Sequence, residues 1–403
     1  MIRSKSTHNL PDGIFEASEH VSIEEKEHFC VTSVASIEGF PKVIRYDLDK
    51  LLSFSGLATV FCKGTVFTMN RRTLVSLTAM YVTAIVACVA TLMAFFNEGD
   101  APGGDGEGWQ RLRDLDTEPI ENLAQQINSL VPFVLGLYLA LALKRWWDLR
   151  VKALGAIFES LTSVCMLVSV ELNEPKWKYV RATVAKFGIA SIDLLVQAAR
   201  QREDLERLVD TEFLSEVYVE ALQKLSDPWE RPLVCWAWIM RICMSAMDYN
   251  RTAAPRTTEV MKRCLAAKDG MLVMNMYLDT PLPFGYVHLI TLLVNVQNLV
   301  MALKSGFVFA QHFALAQHFA MAQQVVTLGV VVAVYQGILQ IACVIANPFG
   351  DNILNFPIAG YMNFMAKTVD AMSRAQNECP VVAENGRLHH PKAEGLDSTR
   401  PAR

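Results

Sequence analysis

Four stretches of this chain are apolar with no charge inside them, and their lengths suit a bilayer. Leu74 to Phe96 follows Arg71-Arg72 and precedes Asn97-Glu98-Gly99-Asp100. About 20 such residues in a helix cross the hydrocarbon layer. Ile127 to Leu143 is the second run, closed by Lys144-Arg145-Trp146-Trp147. Lys, Arg and Trp together mark the level of the lipid headgroups. Phe284 to Leu303 and Val325 to Ala346 are the third and fourth. The pattern therefore predicts spans at about 74–96, 127–143, 284–303 and 325–346. The cations at Arg71-Arg72 and Lys144-Arg145 put the N-terminal side of the first run and the C-terminal side of the second inside.

Residues 148–280 alternate helical apolar stripes with frequent charges, Arg200, Arg202, Glu203, Asp204, Glu206 and Arg207 among them. They read as a large inner helical region. Within it Pro232 to Met247 is apolar but short, and Arg241 interrupts it, so it is expected as a buried helix and not a span. Residues 45–66 can form an amphipathic helix entering the membrane, while 97–118, rich in Gly, Asp and Glu, form an outer loop. DAPGGDGEG within that loop lacks the ligand spacing of a helix–loop–helix calcium site. Residues 1–44 and 376–403 are polar and are expected to lack order. The fold class expected is all-α, with no strands required.

The second run carries a finer pattern. Ser129, Phe133 and Leu137 recur every fourth residue and share one helix face, beside Pro132 and Gly136. Such a stripe lines a narrow pore when several copies surround an axis; from spacing alone a helix packed among its neighbours is the commoner case, because buried stripes are common in helix bundles. In the third run His288, Asn295, Gln297 and Asn298 are polar groups at membrane depth, which hydrogen-bond to other helices. Between the last two runs AQHFALAQHFAMAQQ, residues 310–324, repeats locally. His312 and His318 are six apart and face different sides of a helix, so a membrane-adjacent helix is expected there and not a metal site.

Composition agrees with a membrane protein that has large wet parts: 52% hydrophobic residues and a mean hydropathy of +0.24. A net charge of −4 gives no bias toward nucleic acid. Nine cysteines without C-x-x-C pairs imply no disulfide framework, and Cys88, Cys165, Cys235 and Cys343 sit in apolar runs as small hydrophobes. No signal-peptide core precedes residue 45, so the destination membrane, plasma or organellar (a thylakoid, for example), is not specified. There is no phosphate loop, HExxH, G-x-S-x-G or zinc spacing, and no enzyme chemistry is expected.

Phe133 to Tyr138, FVLGLY, followed by Arg145-Trp146-Trp147, resembles the second membrane helix of the bestrophins, a family of pentameric anion channels. Four further segments resemble that family in order. They are Cys62-Lys63-Gly64-Thr65 (W-K-G-S in the family), Leu195-Val196-Gln197-Ala198 (L-V-Q-A), PLVCWAW at Pro232 to Trp238, and Asn347-Pro348-Phe349-Gly350. Together they cover roughly residues 45–375, the expected channel domain. The resemblance implies a homopentamer around a central pore, conducting chloride or related monovalent anions, bicarbonate among them. It places the pore neck at Ser129, Phe133 and Leu137, where Ser129 stands for a usual large apolar residue and Leu137 for a frequent Phe. It places an inner constriction at Pro255 and Arg256; Arg256 there is a cationic ring or, as readily, an ordinary solvent-facing Arg. Calcium-responsive members carry an acidic cluster after N-P-F-G. Here Asp351, Asn352 and Asn355 occupy that stretch, with amides where acids are expected, so no cofactor is expected and calcium binding would be weak. The rival class is a non-conducting membrane scaffold that keeps the fold.

Overall fold

The structure is a computed structural model. It describes residues 22–24, 31–36, 43–46, 71–95, 110–112, 114–210, 213–315, 317–350, 355–375, 381–382 and 388–389. The expectations for 47–70, including the amphipathic helix and the Cys62–Thr65 segment, lie outside the described residues, as does most of the acidic loop.

Eleven α-helices of five or more residues occur among the described residues. They are α1 (Arg71–Phe95), α2 (Glu118–Asp148), α3 (Ala156–Glu171), α4 (Lys178–Ala199), α5 (Glu206–Asp210) and α6 (Glu216–Gln223), followed by α7 (Glu230–Tyr249), α8 (Ala254–Asp279), α9 (Phe284–Ala314), α10 (His318–Ala346) and α11 (Ile358–Ala375). A π-helical turn, Leu149–Gly155, joins α2 to α3. The body is all-helical as expected, but the ends are not strandless. β1 (Ser22–Glu24), β2 (Val31–Ser36) and β3 (Val43–Tyr46) form an antiparallel sheet in the order β1-β2-β3, within the segment expected to lack order. β4 (Val381–Val382) pairs with β5 (Leu388–His389) in the tail. The β-branched Val31, Thr32 and Val34 supply the local strand preference that their polar neighbours obscured.

As far as the described residues extend, each of the four uncharged runs lies within a helix long and apolar enough to cross a membrane. The helices overrun the runs. The third extends from 303 to Ala314, and the AQHFA repeat is divided: its first copy ends α9 and its second opens α10 at His318. The second does not stop at Lys144-Arg145. Residues 118–171 are one continuous 54-residue helical rod, about 80 Å at 1.5 Å per residue, so its second half projects well past any bilayer. A fifth helix, Pro175–Ala199, also passes on length and composition, but 72% of its apolar window is buried inside the protein, against 17% for α1.

The membrane-type helices α1, α2, α9 and α10 pack on one another. Val131, Leu135, Tyr138 and Ala142 of α2 meet Ile290 and Val294 of α9 and Leu339 and Ala342 of α10. Where α1 crosses α9, Gly306 leaves no space: a Cβ there would lie 2.5 Å from the Ala84 carbonyl oxygen and 2.8 Å from the Ala87 Cβ. Close backbone approach of this kind drives helix association where lipid removes the hydrophobic incentive. The inner region is a separate core of α3, α4, α7, α8 and α11. α7 is buried along Cys235, Trp236, Ile239, Cys243 and Met247 with Arg241 exposed, as its composition predicted. Thr280 to Pro283, with prolines at 281 and 283, breaks the chain between inner α8 and membrane α9.

Gly306→Val forces the α1–α9 crossing apart. The overpacking cost is about 1–3 kcal/mol, read as a lower melting temperature of the detergent-solubilised protein by intrinsic fluorescence. An unchanged melting temperature would contradict the close crossing.

Candidate functional site

α2 has two unlike faces. On the packed face Val131, Leu135, Tyr138 and Ala142 are buried. On the other, Phe133 is 66% exposed and Leu137 48%, with Leu130 and Leu141 also open. Ser129 lies on this open face, its hydroxyl donating to the Gln126 carbonyl at 2.7 Å. A Cβ at Gly136 would touch nothing within 4 Å. Gln126, Phe133 and Ala140, seven residues apart, run in line, and Ser129 and Leu137 flank them. The same open side continues outward through Asn122, Gln125 and Gln126, all exposed amides. At that end Lys304 lies 4.0 Å from Glu121.

Polar anchors set the rotation of α2. The Asn128 Oδ1 accepts from the Tyr335 hydroxyl of α10 at 2.6 Å and from Gln297 Nε2 of α9 at 3.2 Å. Asn128 is in line with Leu135 and Ala142, so holding it toward α9 and α10 turns Phe133 away from them. Gln297 thus hydrogen-bonds as expected, and Asn295 accepts from Gln336 Nε2 at 3.0 Å. Asn298 is fully buried, but neither amide atom has a hydrogen-bond partner among the described residues. His288 stacks on Phe284, with centroids 5.6 Å apart. Asn128 and Tyr335 went unrecognised in the sequence. A lone Asn at the outer end of a run and a Tyr inside another carry no local sign that they meet across 207 residues.

Just below the apolar stretch the rod is clamped. Tyr277 of α8 donates to Asp148 Oδ2 at 3.0 Å, and Lys152 pairs with Asp148 Oδ1 at 3.0 Å. These bonds, Lys152's first and Tyr277's second, hold the Asp148 carboxyl below the usual carboxylate range. Arg150 donates to the Tyr361 hydroxyl of α11 at 3.0 Å and lies over its ring at 4.5 Å.

Pro255 and Arg256 open α8, far from the stripe of Ser129, Phe133 and Leu137. Arg256 Nη1 lies 2.9 Å from both carboxylate oxygens of Glu171, at the distal end of α3. From Lys144 to Glu171 the rod runs about 40 Å, which separates this point from the membrane edge. Arg256 remains 64% exposed, but its charge is paired.

After α10 the Asn347-Pro348-Phe349-Gly350 turn is tied in place. Phe356 N–H donates to the Pro348 carbonyl at 2.8 Å, and Arg200 Nε to the Phe349 carbonyl at 2.9 Å. The Phe349 and Phe356 rings meet edge to face at 5.4 Å, and Phe356 lies 4.9 Å from Trp146 of α2. Of the calcium candidates, Asp351 and Asn352 lie outside the described residues. Asn355 is buried, with Oδ1 making no hydrogen bond among the described residues. Among the described residues no group of three or more His, Cys, Asp or Glu could hold a metal ion. Gln197 of the Leu195–Ala198 segment is structural: its amide binds Asp193 Oδ2, the Asp204 carbonyl and the Asp204 N–H. Burial pushes the inner thiols Cys165, Cys235 and Cys264 up to about 12, so they remain neutral hydrophobes.

The family model described as bestrophin, RFP-TM, chloride channel matches residues 112–360. No curated protein matches the chain. Among solved structures, a bacterial bestrophin homolog from Klebsiella pneumoniae is similar with a TM-score of 0.57 at 14% identity, over 75% of this chain and 98% of that one. A point mutant of that homolog gives 0.58 at 12% identity, over 75% and 99%. A second mutant gives 0.58 at 13%, over the same shares. Identities this low speak for the fold.

Proposed function

Because this chain belongs to the bestrophin family, a family of membrane channels, we propose that it is a homopentameric channel for chloride or related monovalent anions, bicarbonate among them. The open face of α2 then lines the pore. The observation that carries this reading is the contrast between the two open faces of the membrane helices. That of α1 is apolar nearly throughout, with Val75, Val82, Ile85, Val86 and Met93 exposed, as lipid requires. That of α2 runs from exposed amides through Ser129 to Phe133 and Leu137. A gradient from polar to apolar suits a wet mouth leading to a neck.

Four spans complete the reading: α1, the first part of the 118–171 rod, α9 and α10. α4 is left inside because its apolar surface is already covered by protein. Both ends of the channel body then lie on the inner side, in agreement with Arg71-Arg72 and Lys144-Arg145.

Five Phe133 rings around an axis present their positive edges to a passing anion. The same apolar ring empties of water when narrow and so acts as a gate. Ser129 on the outer side eases wetting. At the inner constriction, the Glu171 partner turns each Arg256 into one half of an ion pair, so a ring of five gives a weaker field than five bare cations. Anion preference therefore rests mainly on the neck. A non-conducting scaffold would retain the same packing and carry no current.

Protein purified as a pentamer by particle mass and reconstituted in planar bilayers gives a reversal potential that follows the anion gradient. Monomeric protein, or a bilayer that stays silent, rejects the channel reading. Phe133→Ala raises open probability by lowering the dewetting barrier; unchanged gating and conductance remove Phe133 from the neck.

Opening should be insensitive to calcium from nanomolar to millimolar, since Asp351 is the one acid in the 351–355 stretch and hard cations need several carboxylates. Asn352→Asp with Asn355→Asp introduces calcium dependence if these positions form the ligand set. A steep response of the unmodified protein at nanomolar calcium would show that neutral oxygens suffice.

A further inference from the structure

Asn298 of α9 is fully buried, and neither its Nδ2 nor its Oδ1 has a hydrogen-bond partner among the described residues. The Oε1 of its neighbour Gln297, also fully buried, is in the same state. The position is deep in the bundle. One turn before it, Val294 shares a core with Leu135 of α2 and Leu339 of α10. One turn after it, Ala302 shares a core with Leu328 and Val332 of α10. Asn298 therefore stands between the levels of Val332 and Leu339, beside Tyr335 and Gln336. Thr291 and Ser305, seven residues to either side, are in line with it on α9.

The donors at this level are committed elsewhere. Gln336 Nε2 donates to Asn295 Oδ1 at 3.0 Å, and the Tyr335 hydroxyl and Gln297 Nε2 donate to Asn128 Oδ1 at 2.6 and 3.2 Å. What is left over is one amide NH2 and two carbonyl oxygens. A buried amide left unpaired forfeits the hydration it has in the unfolded chain, and hydrocarbon cannot replace it. The complement must both donate and accept. A cation would take the oxygens and leave Nδ2 unpaired; an anion would take Nδ2 and repel the oxygens. Residues 284–303 and all of α10 contain no Asp, Glu, Lys or Arg, so neither helix supplies a countercharge at this depth. A neutral molecule of hydrogen-bonding size with both functions meets the requirement, and water needs two to four such partners.

We infer that Asn298 is the centre of an internal water site inside the membrane bundle of each subunit, where bound water accepts from Nδ2 and donates to Oδ1, with Gln297 Oε1 as a further acceptor. The site is enclosed by the chain's own helices and lies on the packed side of α2, away from Phe133. It holds for a scaffold as for a channel. The test is a cryo-electron-microscopy map of the full-length protein in lipid nanodiscs, at a resolution that shows ordered water, recorded in potassium chloride and again in sodium bromide. Density within hydrogen-bonding distance of the Asn298 amide, the same in both salts, establishes the site. Density that changes with the salt marks an ion and overturns the proposal, as does an Asn298 amide bonded to protein groups alone. The second measurement is solid-state NMR of lipid-embedded protein with 15N in the Asn and Gln side chains. Polarisation transferred from water reaches the Asn298 amide, and Asn298→Leu loses that one signal. A variant that keeps every water-linked amide signal refutes the site. If Asn298→Leu fails to fold, the map of the unmodified protein decides. Neither readout depends on conduction, so failure here and failure of the channel reading are distinguishable.

Discussion

The rotation of α2 about its own axis is the constraint on which the candidate pore depends, and Asn128 sets it. An amide at membrane depth must find partners inside the protein, because lipid offers none. Tyr335 and Gln297 supply them from two different helices, each bond worth about 1–2 kcal/mol or less in this environment. Turning α2 by one residue, about 100°, would break both bonds and withdraw Leu135 and Ala142 from the α9–α10 contact. The small polar energies and the larger apolar burial agree on one orientation, and it leaves Phe133 facing away from the subunit's own helices.

That orientation is transmitted inward by continuity of the backbone. The rod from 118 to 171 passes from bilayer to inner core without a loop, and the π-helical turn at Leu149–Gly155 is its one change of pitch. Such turns are frequent at functional sites. Here the turn is clamped by Asp148 with Lys152 and Tyr277 on one side and by Arg150 with Tyr361 on the other. Trp146, Phe356 and Phe349 then form a chain of ring contacts from α2 to the turn after α10, which Arg200 fastens to α4. α2, the inner core and the Asn347–Gly350 turn are thus in contiguous physical contact, the arrangement through which packed elements influence one another.

What the sequence revealed and what it concealed divide along the range of the interactions. The uncharged runs and the buried α7 are written in local composition, and each is found as a helix. The length of the second helix is not written in that composition, because charge marks where lipid is expected to stop and says nothing about where a helix stops. Leu149 to Glu171 retains good helix formers and an apolar face that the inner core buries. The Glu171–Arg256 pair spans 85 residues and Asn128–Tyr335 spans 207. Neither has a signature in spacing, and the first of them changes the electrostatic meaning of Arg256. The terminal strands depend on pairing between segments, which a reading of polarity alone treats as loop.

The open face of α2 suits neither bulk lipid nor bulk water along its whole length. Lipid could cover Leu137 and Leu141 at no cost, since hydrocarbon chains are as apolar as those side chains. It would cover Asn122, Gln125, Gln126 and Ser129 poorly, and the first three are exposed amides with donors and acceptors to satisfy. Water satisfies those groups but is repelled by Phe133 and Leu137. A face polar at one end and apolar at the other, on a helix long enough to span, is therefore ill suited to bulk lipid along its upper half and to bulk water along its lower half. The axial pathway of the proposed assembly, surrounded by copies of this face, would resolve both. On that reading the wide end is hydrated and the narrow end is closed by side chains from every copy, so that the water expelled from the proposed neck is also the barrier an anion must overcome.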